Sequence, residues 1–179
     1  TFNQNVSNLP HTLTHLEFDD DFNRDVSVLP SSLTHLTFGY KFNQDVSSLP
    51  SSLTHLTLGY CFNQKITFNP NIKYLKLNCN LMHIIDYLPN SIVELELGNL
   101  FNLELDNLPT SIKKLVIYKN NYHYNKDLNC LPDFIEELYL NIDYEKRIMH
   151  IPRNLKKIVC HKNYPYKNDF MMYDIKTYK

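Results

Sequence analysis

A proline recurs almost every 20 residues along this chain of 179 residues. Eight of the nine prolines share one phase, with successive spacings of 20, 20, 20, 19, 20, 23 and 20 residues. They are Pro10, Pro30, Pro50, Pro70, Pro89, Pro109, Pro132 and Pro152. A fixed short period is typical of solenoids, in which each repeat packs only against its neighbours. The period therefore predicts a stack of about eight rungs.

An apolar pattern L-x-x-L-x-L begins three residues after most of these prolines, as in Leu33, Leu36 and Phe38. Its last two apolar residues are two positions apart, so both point to one face of a short strand. A second apolar column stands eight residues before the prolines and consists of Phe22, Phe42, Phe62, Leu81, Phe101, Tyr124 and Tyr144. We predict a leucine-rich-repeat-like, mainly β solenoid with one short parallel strand per rung, a core of stacked columns and an irregular or short-helical convex side.

The turns of each rung carry their own signals. All three glycines, Gly39, Gly59 and Gly98, directly follow a predicted strand. Because glycine tolerates a positive φ angle, we expect a tight bend of that kind at these positions. Proline fixes φ at the opposite corner.

Two irregularities and a tail interrupt the period. One residue is missing between Pro70 and Ile72, and three are added in the segment 118–123, which predicts a loop protruding at the edge of the sheet. We assign residues 1–162 to about eight repeats and residues 163–179, which are rich in Tyr, Met and Phe, to a C-terminal cap that covers the last rung. No comparable cap precedes Phe2, so the N-terminal edge is expected to be open unless another domain covers it.

The segments Phe22 to Gly39 (FNRDVSVLPSSLTHLTFG) and Phe42 to Gly59 (FNQDVSSLPSSLTHLTLG) resemble the FNIP repeat, a relative of the leucine-rich repeat found in social amoebae and giant DNA viruses. The resemblance is close over residues 2–63. From there to residue 160 it continues in the spacing of the repeats and in the positions of the apolar core residues. It implies a right-handed, parallel-stranded solenoid used for protein interaction. Family members are often joined to an F-box, which would make the repeats the substrate-recognition arm of a ubiquitin ligase.

One outward position of the predicted strands forms a row across the sheet. The row reads His15, His35, His55, Tyr74, Glu94, Lys114, Glu137 and Lys157. Its second half alternates in sign, so neighbouring strands attract each other modestly or select a charged partner. Exposed aromatic residues beside mixed charge are typical of interaction hot spots. We predict that a partner binds the concave sheet face through Tyr74, Glu94, Lys114, Tyr118, Glu137 and Tyr139, with His15, His35 and His55 as further candidates.

The three histidines are expected to stack as a ladder, because neighbouring strands lie about 4.8 Å apart. Three collinear histidines fit the tetrahedral preference of zinc poorly, so we predict neither a metal site nor a cofactor. A separate asparagine column, Asn3, Asn23, Asn43, Asn63, Asn102 and Asn125, is interpreted as structural, since stacked amides can bond the backbone of the neighbouring rung.

Catalysis has no support in the sequence. It contains no G-x-S-x-G elbow, H-E-x-x-H motif or phosphate-binding glycine loop, so we predict that the chain is not an enzyme. The four cysteines are far apart and form no C-x-x-C pair, which predicts reduced and mostly packed thiols. No stretch approaches 18 consecutive apolar residues and no signal peptide is visible, which favours a cytoplasmic location, in the host cytoplasm if the protein is viral.

A net charge of -1 argues against a polyanion or a membrane as the main partner. We therefore expect a protein or peptide partner and a monomer, unless the open N-terminal edge pairs with another copy. Two other functions remain open. The chain could be a structural or self-assembling array, or it could bind nucleic acid through a basic C-terminal end that contains Lys156, Lys157, Lys162 and Lys167.

Overall fold

The structure, a computed structural model, describes residues 2–79 and 84–179. Its described residues form nine short strands: β1 (His15–Glu17), β2 (His35–Thr37), β3 (His55–Leu58), β4 (Tyr74–Leu77), β5 (Glu94–Leu97), β6 (Lys114–Ile117), β7 (Glu137–Tyr139), β8 (Lys157–His161) and β9 (Asp174–Tyr178). Helical structure in these residues is limited to two single turns of 3-10 helix, Ile84–Tyr87 and Lys167–Phe170. The predicted β solenoid with a thin, irregular return side is confirmed.

The strands form one sheet in which each strand pairs in parallel with the next along the chain. Pairing joins the same repeat position in successive rungs, for example Leu16 with Leu36 and Leu36 with Leu56. Equivalent residues therefore stack directly above one another. The sequence period equals the number of residues between positions that pair in successive strands. The strands could therefore be located from the sequence.

The core lies on the inward face of this sheet. Leu75 and Leu77 of β4 are fully buried, whereas their neighbours Tyr74 and Lys76 point outward and are half-buried. Burying a leucine side chain contributes about 1.5–3 kcal/mol. A rung supplies only a few such residues, so its stability depends on the rungs on either side.

The aromatic column fills the core opposite the sheet. Phe22 and Phe42 stack with ring centroids 6.1 Å apart, and Phe42 and Phe62 with centroids 6.3 Å apart. The ring centroid of Phe38, which follows strand β2, lies 3.6 Å from that of Phe42. The strand-side column and the aromatic column therefore meet within the rung. Leu81, which the sequence places in this column, lies outside the described residues.

The fourth rung departs from the sequence alignment. The backbone amide of Ile72 donates a hydrogen bond to the backbone oxygen of Asn69. One rung earlier, the amide of Leu53 donates the equivalent bond to the backbone oxygen of Pro50. Asn69, not Pro70, therefore occupies the corner, and the missing residue lies between Phe62 and Asn69. The prediction of a deletion after Pro70 was wrong because the proline itself is out of phase by one position.

The glycines serve a different purpose from the one predicted. None of the three has a φ angle in the left-handed region. A Cβ atom added to Gly59 would lie 1.8 Å from the backbone oxygen of Gly39, and one added to Gly39 would lie 2.4 Å from that of Asp19. Glycine is required here because successive rungs approach too closely for a side chain, and the prediction of a positive φ angle was wrong.

The three-residue insertion only partly forms the predicted loop. Tyr118, Lys119, Asn120 and Tyr122 are exposed, but Asn121 is completely buried. Asn121 takes the place in its rung that Gly98 and Asn141 take in the neighbouring ones. The insertion is therefore partly absorbed into the core.

The segment 163–179 adds the ninth strand. β9 pairs in register with β8, with Ile175 beside Ile158, while Tyr164 and Phe170 are buried against the last rung. None of the four cysteines forms a disulfide bond within the described residues; Cys79 and Cys160 are buried, Cys61 is half-buried and Cys130 is exposed. Within the part of the chain that the structure describes, no helix has the length and apolar character to cross a bilayer.

Candidate interaction surface

The three predicted histidines form a stacked ladder. The ring centroids of His15 and His35 are 4.0 Å apart, and those of His35 and His55 are 3.9 Å apart. The ring of Tyr74 continues the stack 5.6 Å beyond His55. The predicted ladder is confirmed as a geometric feature, and its part in binding stays a prediction.

Each ladder histidine is held by the threonine before it. Thr34 Oγ1 lies 2.9 Å from Nδ1 of His35, and the same contact occurs at Thr14–His15 and Thr54–His55. Burial, together with the neighbouring His55 and His15, lowers the pKa of His35, and burial also lowers the pKa of His55. The rings of His35 and His55 are thus uncharged at neutral pH. Among residues 2–79 and 84–179, no three His, Cys, Asp or Glu side chains are arranged to hold a metal ion.

The alternating charges of the row are paired across the strands. Lys114 Nζ lies 2.7 Å from Glu94 Oε1, and Lys157 Nζ lies 3.2 Å from Glu137 Oε2. The Tyr139 hydroxyl donates to Glu137 at 2.8 Å and accepts from Lys157 at 2.6 Å. The hydrogen bond from Tyr139 lowers the pKa of Glu137, since it stabilises the carboxylate.

A second network of hydrogen bonds and ion pairs lies beside the row of alternating charges, on the outward row that contains Lys76 and Glu96. Glu96 receives the Tyr74 hydroxyl at 2.8 Å and the Lys76 ammonium at 2.6 Å. Lys76 also lies over the ring of Tyr118, with its nitrogen 5.5 Å from the centroid. These charges therefore stabilise the sheet.

A groove of about 730 Å³ runs along the carboxyl ends of the first six strands. We call it the tyrosine groove. One wall is the outward row Glu17, Thr37, Thr57 and Lys76, together with Tyr74. The other wall is formed by residues that follow the strands: Asp19, Asp20, Gly39, Tyr40, Gly59, Tyr60, Asn78, Asn99, Leu100 and Tyr118.

Exposed aromatic rings dominate the second wall. Tyr40 and Tyr60 stack with centroids 4.7 Å apart and are 48% and 42% exposed. They come so close because each follows a glycine at which two rungs are in contact. At the first-rung end of the groove, the carboxylates of Glu17 and Asp19 are exposed and have no hydrogen-bond or ion-pair partner among the described residues.

The structure brings together only part of the predicted site. Tyr74 and Tyr118 line the tyrosine groove, whereas Glu94, Lys114, Glu137, Tyr139 and the three histidines do not. Sequence reasoning missed Tyr40, Tyr60 and the acidic end. The two tyrosines could have been found in the sequence, because each follows a glycine at the same position in two successive rungs.

The asparagine column acts as a structural ladder, as predicted. Asn3 Oδ1 accepts the amide of Asn23 at 3.1 Å, Asn23 accepts that of Asn43 at 3.0 Å, and Asn43 accepts that of Asn63 at 2.8 Å. Each side chain thereby satisfies a backbone donor of the next rung.

Comparison with known proteins agrees with this architecture. The family model described as FNIP Repeat matches residues 2–41, 25–61 and 62–100, which together span more than half of the chain. The chain belongs to the FNIP repeat family. In this FNIP repeat protein the matched region contains the histidine ladder and most of the tyrosine groove.

The FNIP repeat protein is also similar to a solved structure described as that of CroV588, a novel circular LRR protein. The two share 30% sequence identity with a TM-score of 0.55, over 90% of this chain and 32% of the other. The chain thus spans about a third of the length of that protein. No curated protein matches the chain. The comparisons establish a leucine-rich-repeat-like solenoid of a repeat-scaffold family.

Proposed function

We propose that this FNIP repeat protein is a non-catalytic scaffold that binds a protein or peptide partner on the open, concave face of its sheet, chiefly through the tyrosine groove. The observation that carries the proposal is the groove itself, in which Tyr40, Tyr60 and Tyr118 present large exposed rings beside a continuous sheet surface. Tyrosine is enriched in binding hot spots because it offers a large contact area at little cost in conformational entropy.

The charged half of the sheet has a supporting role in this proposal. Glu94, Lys114, Glu137 and Tyr139 already bond with one another or with Lys157. A partner would have to break these contacts to use them, whereas the groove tyrosines are open. The charged residues and the histidine ladder then form the rim of the interface, where charges contribute more to specificity than to affinity.

The test is affinity capture from a lysate of the source cell with the purified protein and two double variants. Tyr40→Ser/Tyr60→Ser removes the stacked pair of the groove. Tyr87→Ser/Tyr122→Ser removes two tyrosines that are 68% and 60% exposed and lie outside the groove. Circular dichroism and thermal unfolding confirm that all three proteins fold alike.

We expect one protein, identified by mass spectrometry, to be retained by the wild type and the control variant and lost by the groove variant. Its dissociation constant is then measured with the purified pair. Equal retention by all three proteins, or no specific retention at all, would overturn the proposal.

A finer form of the proposal makes the solenoid the substrate-recognition arm of an F-box-type ubiquitin ligase. The resemblance of the FNIP repeats to those of F-box-linked proteins supports it. In source cells the full-length gene product is then expected to co-purify with the ligase core. The level of the groove-bound protein should rise when Tyr40→Ser/Tyr60→Ser replaces the wild type; an unchanged level contradicts the ligase role.

A second candidate is a self-assembling repeat array, and the exposure of the first rung in residues 2–179, taken by themselves, favours it. Phe2 is 49% exposed and Leu16 is half-buried, although Leu36, the same position in the next rung, is 1% exposed. An edge strand with an apolar face is a template for another chain. Joining β1 of one copy to β9 of another is a head-to-tail contact, which gives rings or filaments. The similar solved structure is described as circular.

Size-exclusion chromatography at rising concentration distinguishes this candidate. Self-assembly predicts larger species that disappear in Leu16→Lys but persist in Val93→Lys, a substitution at a residue that is 39% exposed on a rung with neighbours on both sides. A monomer at every concentration excludes the array.

A further inference from the structure

We infer that the tyrosine groove takes an extended, arginine-rich segment of the partner protein. The inference rests on the proposed function, because it names the chemistry of what the groove binds. Three observations carry it: the charge at one end of the groove, the solvent exposure of its aromatic rings, and its length.

The first-rung end of the groove is negatively charged. Glu17 and Asp19 present carboxylates without partners among the described residues, and Asp20 uses Oδ1 to accept the amide of Tyr40 at 3.0 Å. Residues 1–60 contain six acidic side chains and only two basic ones. Of those two, Lys41 pairs with Asp21 and Arg24 donates to the Asn3 backbone oxygen. A cationic segment would therefore be attracted to this end, and a polyanion would be repelled.

The aromatic rings of the groove suit a cation. Lys76 already places its ammonium 5.5 Å from the centroid of the Tyr118 ring, so one ring of the groove holds a cation of the chain itself. Among the described residues, no lysine or arginine lies over Tyr40 or Tyr60, although both rings are open to solvent. A cation over a tyrosine face is attracted by the ring quadrupole.

Arginine fits this arrangement better than lysine. Its planar guanidinium stacks on an aromatic face and at the same time donates two parallel hydrogen bonds to a carboxylate. The stacked Tyr40–Tyr60 pair lines the same groove as Glu17, on the opposite wall, and Asp19, on its own wall. One side of the guanidinium can therefore lie on a ring while its edge faces a carboxylate.

The groove is long enough for a peptide. It extends from Glu17 on β1 to Tyr118, which directly follows β6, and so crosses six strands. Five inter-strand steps of about 4.8 Å give a length of about 24 Å. An extended chain covers that distance with about seven residues.

The test uses a fluorescein-labelled dodecapeptide of alternating Arg and Ser, with matched Lys-Ser and Glu-Ser dodecapeptides, and fluorescence anisotropy. We expect the Arg-Ser peptide to bind most tightly, the Lys-Ser peptide more weakly and the Glu-Ser peptide not at all. The affinity should fall as salt rises from about 50 to 500 mM, because exposed charges are screened.

Matched variants locate the binding. Glu17→Gln/Asp19→Asn should weaken Arg-Ser binding about three- to ten-fold, and Asp143→Asn/Glu145→Gln, with the same change in net charge at exposed residues outside the groove, should leave it unchanged. Tyr40→Phe/Tyr60→Phe keeps the rings and should retain binding of the Arg-Ser peptide. Tyr40→Ser/Tyr60→Ser should lower the affinity for that peptide about three- to ten-fold.

Equal weakening by both acidic-residue variants would show attraction to overall charge and overturn the inference. Loss of binding in the Phe variant would also overturn it, because the rings would not be the contact. If Tyr40→Ser/Tyr60→Ser abolishes partner capture but the Arg-Ser and Glu-Ser peptides bind alike, this inference fails and the proposed function stands. If that variant changes neither capture nor peptide binding, both fail.

Discussion

The side-chain amide of Asn121 donates hydrogen bonds to the backbone oxygens of Gly98 and Phe101, at 2.9 and 2.8 Å. Its Oδ1 accepts the amides of His123 and Tyr124 at 3.0 and 2.9 Å. One completely buried side chain thus joins two rungs and closes the bend between them.

Replacing Asn121 with alanine should destabilise the protein strongly. The change removes four hydrogen bonds and leaves buried backbone groups unpaired, so we expect the free energy of unfolding to fall by about 2–4 kcal/mol in urea titrations. Asn120→Ala, at the exposed neighbouring position, should change it by less than about 0.5 kcal/mol. Equal effects of the two substitutions would contradict the role assigned to Asn121.

Gly59→Ala tests the close approach of the rungs. The added Cβ would lie 1.8 Å from the Gly39 oxygen, so the backbone must shift, and overpacking of this kind costs about 1–3 kcal/mol. We expect a lower midpoint of thermal unfolding than for Ser48→Ala, which alters an exposed residue. An unchanged midpoint would mean that the rungs can separate freely here.

The sequence was sufficient to predict the strands and their order because identical repeat positions pair with one another. The L-x-x-L-x-L pattern located Leu36, Leu56 and Leu75 in adjacent strands, and the structure pairs them as expected. The asparagine ladder was predictable for the same reason, since its members recur at a constant offset from the core columns.

Where the repeat loses phase, prediction from the pattern failed. Asn69 replaces proline at a corner, and Asn121 enters the core within an insertion, because backbone hydrogen bonds determine both positions and the spacing of prolines does not. The tyrosine groove was missed because the repeated Gly-Tyr pair was interpreted only as a bend, whereas the close approach of successive rungs at Gly39 and Gly59 is seen only in the structure.

Acid should weaken the folded state through His35. Burial and the adjacent His55 and His15 lower its pKa, so the unfolded chain binds a proton more readily than the folded chain does. The free energy of unfolding therefore falls as the pH drops from the ordinary histidine pKa of about 6.5 toward the lower pKa of the folded state.

Urea titrations at about pH 7.5 and 5.5 measure this dependence. His35→Gln should be less sensitive to pH than the wild type, and His11→Gln, at an exposed residue outside the ladder, should keep the full dependence. His55, whose pKa burial also lowers, should keep part of the dependence, but a pH dependence in His35→Gln as steep as in the wild type would assign the effect to other groups.

Tyr139→Phe isolates one hydroxyl of the charged network. That hydroxyl donates to Glu137 and accepts from Lys157, but the Lys157–Glu137 ion pair remains without it. We expect a loss of about 0.5–1.5 kcal/mol in the free energy of unfolding, because half-buried hydrogen bonds contribute on this scale. Tyr122→Phe, which is 60% exposed, serves as the control and should have no measurable effect.

The residue-for-residue pairing of rungs gives this molecule a natural unit of length. Excision of residues 35–54 would join Thr34 to His55, so that His15 faces His55 where it now faces His35, in the same kind of pair. Duplication of the same segment would lengthen the sheet by one strand with no new type of contact. A gene encoding such a protein can therefore change its size in steps of one complete coil, and each step shortens or extends the tyrosine groove by one strand spacing.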